Sequence, residues 1–135
     1  MALSSLQRMD KVTRAVAVWL PPFALMALIF ALSSMPSDDV DRGLAYYLLR
    51  KVAHFTEYAL LLALWWRALR TRLAVRTALA LSLAITIGYA ASDEIHQRSV
   101  EGRVGTPVDV AIDTAGALSA AALIARSRRL TATPT

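Results

Sequence analysis

Both histidines of this 135-residue chain stand at helical spacing from acids. His54, Glu57 and Tyr58 occupy i, i+3 and i+4, a spacing that places three side chains on one helix face. Asp93, His96 and Gln97 repeat it, and Asp109 and Asp113 lie one turn apart. Imidazoles and carboxylates gathered on a face are the groups of general acid–base chemistry, since burial and neighbouring charge can bring their proton affinities towards neutral pH. His54, Glu57, Asp93 and His96 are therefore the candidate catalytic groups. Arg103 is the first candidate for reading a phosphate or carboxylate, because a guanidinium binds such groups bidentately; Lys51 is the second. Tyr58, Glu94, Gln97, Asp109 and Asp113 complete the ligand-binding candidates.

The elements that must position these residues are long apolar runs. The chain is 56% hydrophobic, its mean hydropathy is positive, and four blocks stand out at 12–33, 48–66, 75–91 and 108–125. Each approaches the roughly 20 residues needed to cross a hydrocarbon core of about 30 Å. The expected fold class is all-α: a four-transmembrane-helix polytopic protein, with residues 1–11 as a polar arm, 12–125 as one membrane domain and 126–135 as a tail. The first block is longer than a signal-peptide core and ends in no clear cleavage site, so it reads as a retained helix. Pro21-Pro22 removes two backbone donors and predicts a kink or a delayed regular start. A turn at 33–37 leads to Asp38, Asp39 and Asp41, read as caps and solvated loop before a short interfacial helix through Tyr46 and Tyr47. Gly102, Gly105 and Pro107 break the chain before the last block.

The net charge of +5 is distributed as topology rather than as a nucleic-acid surface. Arg8, Lys11, Arg14, Arg67, Arg70, Arg72, Arg76, Arg126, Arg128 and Arg129 share one side with a single acid, Asp10. Basic residues near helix ends favour the cytoplasm, so both termini and the central loop are expected inside, with the loops at 34–50 and 92–108 outside. Counting from Arg67 and Arg126 at about 1.5 Å per residue, His54 and Asp113 both lie roughly 20 Å above the inner boundary and Glu57 roughly 15 Å above it. Ionisable groups at such depth are costly and mark functional sites by default. Gly116 with Ala120, and Gly88 with Ser92, offer small-residue steps for close helix approach. The chain has no cysteine, which excludes disulfides and thiolate metal sites.

The succession His54-x-x-Glu57-Tyr58, Asp93-Glu94-x-His96-Gln97, Gly102-Arg103 and Asp109-x-x-x-Asp113-x-x-Gly116 resembles the VanZ-like family of small bacterial membrane proteins, over about residues 30–125. At position 113 that family more often carries Asn, so Asp113 adds an acid. The resemblance implies a multi-pass protein of the bacterial cell membrane, in an envelope setting linked through the founding member to teicoplanin resistance.

Three readings follow. The first is an outward-facing polar pocket that recognises or modifies an envelope lipid, a lipid-linked precursor or a glycopeptide-type antibiotic. The second is a binding or shielding protein without turnover, conferring glycopeptide tolerance. The third is a divalent-cation-dependent membrane hydrolase, although the His and carboxylate spacings match no standard motif and no residue is assigned to a metal. No serine–histidine–acid order, zinc-protease helix or lipid-phosphatase motif selects a reaction, and no cofactor is implied. The bilayer is the expected partner, and nucleic acid is not. Plainer roles stand beside these: a His54–Glu57 packing pair, a Glu94–Arg98 surface ion pair, and an ion pair from Arg103 to Asp109 or Asp93. Glu57 itself is expected to face the bundle interior with a polar partner, His54 and Asp113 among the candidates.

Overall fold

Long stretches rich in Ala, Leu, Ile and Val favour helix, and turn residues interrupt them at three places. The computed structural model describes residues 2–37 and 43–131, and the chain there forms four helices: α1 (Ala2–Ser33), α2 (Gly43–Leu69), α3 (Val75–Gln97) and α4 (Pro107–Thr131). Three segments, Gln7–Ser33, Val75–Gln97 and Pro107–Arg128, are long and apolar enough to cross a membrane. α2 is not among them; Arg50, Lys51, His54 and Glu57 interrupt its apolar run.

Two boundaries differ from the sequence expectation. Residues 2–11 are helical and continuous with α1, since nothing between Ala2 and Leu20 breaks a helix. The segment at Tyr46 and Tyr47 is the first turns of α2 rather than a separate interfacial helix. Asp38, Asp39 and Asp41 lie outside the described residues.

The double proline neither ends α1 nor delays it. A proline cannot serve the carbonyl four residues before it, so Pro21 leaves the Ala17 carbonyl without its helical donor. Arg67 Nη2, at the far end of α2, donates to that oxygen at 2.8 Å. The missing backbone bond is thus replaced from a neighbouring helix, which also ties α1 to α2.

α2 is the central element. It packs along α4 and against α3, while α1 leans on α2 and α3 and does not meet α4 among the described residues. The α2–α4 contact is close because Gly116 faces the α2 backbone: a Cβ there would stand 2.1 Å from the Phe55 carbonyl oxygen. Gly88 plays no such part, for a Cβ on it would meet open space. One apolar cluster joins Ile29, Tyr58, Leu61, Trp65 and Ala90, and another joins Leu62, Ala117 and Ala121. Large apolar side chains such as Val16, Leu20, Leu28, Leu60 and Leu123 point outward, whereas Ser82, Thr86, Asp93, Glu94 and Asp113 are buried. This inverts the usual pattern of a water-soluble protein and suits an apolar solvent.

α4 begins with a clean start signal. Pro107 takes the first helical position, and Thr106 Oγ1 accepts from the Asp109 backbone N–H at 3.2 Å. The Thr106 hydroxyl donates in turn to Asp109 Oδ2 at 3.0 Å. That cap orients Asp109 towards α2.

Candidate functional site

The polar residues collect at one end of the bundle, in two layers that meet at α3. The first joins α1 to α3. The Ser33 hydroxyl donates to Asp93 Oδ2 at 2.9 Å, and the Gln97 amide donates to the same oxygen at 2.9 Å. Next to them Ser34 Oγ lies 3.0 Å from His96 Nε2. Because the Ser34 hydroxyl donates to the Phe30 carbonyl at 2.7 Å, Nε2 is the donor in the serine–histidine contact. The His96 ring also stacks on Phe30, with centroids 4.6 Å apart. His96 therefore clamps two helix ends together and stands apart from His54.

The second layer joins α2, α3 and α4. Lys51 pairs with Asp109, and its ammonium lies 5.0 Å from the Tyr47 ring centroid. His54 Nδ1 lies 3.2 Å from Asp113 Oδ1. Glu94 accepts from the Thr106 backbone N–H at 2.8 Å. It is fully buried and does not pair with Arg98, which instead donates to the Gly105 carbonyl at 3.3 Å. The surface ion pair expected there is thus absent: Glu94 turns inward to the loop before α4, where it serves a backbone donor. Gln97 Nε2 approaches Glu94 at 3.5 Å and so links the two layers.

Beside these layers a cavity of about 850 Å³ opens between α1, α2 and the α3–α4 loop. Its wall from α1 and the turn after it is largely apolar, with Ile29, Leu32, Met35 and Pro36 beside Ser33; the opposite wall presents His54, Glu57, Arg50 and Tyr46, and Glu101 and Arg103 close one side. Glu57 is half-buried in this wall, in the field of His54, with no hydrogen-bond partner among the described residues. It faces the cavity, and the polar partner expected for it in the bundle interior is missing because His54 pairs with Asp113.

Arg103 caps the end of α1 rather than pairing with an acid. It makes no ion pair with Asp93 or Asp109; its Nε donates to the Met35 carbonyl at 2.8 Å and its Nη2 to the Leu32 carbonyl at 2.6 Å. The Leu32 carbonyl, at the end of α1, also accepts the Met35 backbone N–H at 3.3 Å, and the Met35 carbonyl lies two residues beyond the helix. Gly102, at φ +70°, turns the chain to allow this; a Cβ there would lie 1.8 Å from the Ser37 carbonyl oxygen. Burial lowers the Arg103 pKa from its ordinary value and the neighbouring Arg50 adds to the effect, while Asp93, Tyr46 and Glu94 oppose it.

The proton-transfer candidates therefore separate. His54 and Glu57 line the cavity, Asp93 lies buried behind Ser33, and His96 belongs to the α1–α3 clamp. Among the ligand-binding candidates, Tyr58, Glu94, Gln97 and Asp113 are fully buried. Lys51 and Asp109 border a smaller cavity of about 380 Å³, which Arg50 also lines. Sequence reasoning missed Ser33, Ser34, Arg50 and Thr106. The Thr106-Pro107-x-Asp109 cap was a readable signal for the last of these; a serine pair ending an apolar block and an arginine beside Lys51 are not.

The helices and their buried polar layers define a multi-pass helical membrane protein. The family model described as VanZ/LLP1 matches residues 2–128, nearly the full length, and the chain belongs to that family. No curated protein and no solved structure matches it.

Proposed function

We propose that this protein spans the membrane four times with both termini in the cytoplasm, and that its α1–α2 cavity opens outward to recognise the anionic headgroup of an envelope lipid or lipid-linked precursor. The charge distribution along the chain supports the orientation. α2 packs against α1, α3 and α4 alike, which supports its crossing as the fourth span despite its charges. At its far end Trp66, with Arg70 at 4.8 Å and Arg128 at 5.2 Å from its ring, suits the opposite interface.

The observation that carries the reading is the two-sided lining of the cavity. An apolar wall from α1 fits an acyl or isoprenoid chain, and Arg50 with Arg103 supplies cationic donors for a phosphate. Ligand sites commonly combine an apolar lining with a few convergent polar groups in this way. Glu57 and His54, further along the same wall, would meet hydroxyl or amine groups of the head.

The test is lipid retention. Native mass spectrometry of the protein released from mixed micelles containing phosphatidylglycerol and phosphatidylcholine should show preferential retention of the anionic lipid. Arg50→Ala should remove that preference while leaving the chain folded. Equal retention of both lipids, or a preference unchanged in Arg50→Ala, would refute the reading.

A further inference from the structure

We infer that α2, α3 and α4 together hold a buried divalent transition-metal ion, Zn²⁺ or Mn²⁺, on His54, Glu94 and Asp113. One potential ligand atom from each of these residues lies within 4.8 Å of the others, and the three come from three different helices. The His54 Nδ1 to Asp113 Oδ1 separation of 3.2 Å is the edge expected between neighbouring ligands of an ion held at about 2.0–2.1 Å. Nitrogen and carboxylate oxygen together suit these ions.

Charge points the same way. Asp93, Glu94, Asp109 and Asp113 are all buried, and Lys51 answers Asp109 alone. Asp93 is served by the neutral donors of Ser33 and Gln97. Glu94 and Asp113 are left with one imidazole between them. Two carboxylates, a neutral imidazole and a divalent cation sum to zero, whereas unpaired buried charge is strongly disfavoured.

An independent observation concerns unpartnered groups. Asp113 Oδ2 and the Tyr58 hydroxyl are fully buried, and neither has a hydrogen-bond partner among the described residues. Tyr58 lies one turn beyond His54 on α2, in the field of Asp93 first and then of Asp113 and Glu94. Buried polar atoms are ordinarily satisfied, so orphans beside a set of ligand atoms mark a group that completes them. The backbone N–H of Thr106 meanwhile fixes one Glu94 oxygen, as outer partners do for metal-bound carboxylates. The site shares only His54 with the lipid cavity, so either assignment can fail without the other.

The full chain, purified in detergent without chelator, should carry about one equivalent of Zn²⁺ or Mn²⁺ by elemental mass spectrometry. Glu94→Gln and Asp113→Asn, which keep shape and hydrogen bonding, should each weaken retention by at least about tenfold, whereas His96→Gln retains the ion. Chelator-treated wild-type protein should gain thermal stability on addition of Zn²⁺ or Mn²⁺, a readout that needs no variant to fold. Absence of both bound metal and a thermal shift would overturn the assignment in favour of a proton held within the cluster. Undiminished metal in the Glu94→Gln and Asp113→Asn proteins would overturn it too.

Discussion

Arg103 donates to the Leu32 carbonyl at 2.6 Å, so a loop residue between α3 and α4 completes the end of α1. The same guanidinium serves Met35 and borders the cavity. Its fork therefore has a structural task before it meets any ligand. Replacing Arg103 with Ala should lower stability by about 1 kcal/mol through the loss of these bonds. Arg103→Lys keeps the charge but cannot span both carbonyls, and should fall between the two. Thermal melts in one detergent would decide this; an unshifted melting point for Arg103→Ala would show that the cap contributes nothing.

Gly116 sets the α2–α4 distance. A methyl group at 116 meets the Phe55 main chain, which cannot move aside as a flexible side chain would. Gly116→Ala is expected to destabilise by about 1–3 kcal/mol or more, the range of overpacked cores. Gly88→Ala is the matched comparison, because its methyl has space. A similar loss at both positions would contradict the close-packing role of Gly116.

Lys51 and Asp109 form a mostly buried pair between α2 and α4. Removing one member leaves the other charge uncompensated, at a cost of about 3 kcal/mol in buried settings and less where water reaches the pair. Lys51→Met should therefore be more destabilising than the double variant Lys51→Met/Asp109→Asn. Additive losses in the double-mutant cycle would mean that the pair is not coupled.

The orientation is open to direct chemical reading. Cysteines introduced singly at Ser37 and Arg70 should respond oppositely to an impermeant thiol reagent on intact cells. Label on Ser37→Cys alone supports an outward cavity, and label on Arg70→Cys alone would invert it. The chain has no native cysteine to confuse the result.

Much of the architecture was readable in the residues themselves. Block length and hydropathy depend on local composition, so helices at each of the four apolar runs follow from the chain alone. Helical periodicity likewise placed His54 with Glu57 and Asp109 with Asp113, and depth counting put His54 and Asp113 at one level. Partner choice was a different matter. Whether His54 turns to Glu57 or Asp113, and whether Glu94 faces solvent or the loop, depends on how neighbouring helices rotate about their axes. That rotation is set by contacts such as Gly116 on Phe55 and Arg67 on Ala17, between residues about 50 or more apart in sequence. Helical spacing determines which residues share a face; only tertiary packing decides what that face meets. For that reason the three-helix gathering of His54, Glu94 and Asp113 matches no short motif in the chain, and the assembled bundle alone brings it together.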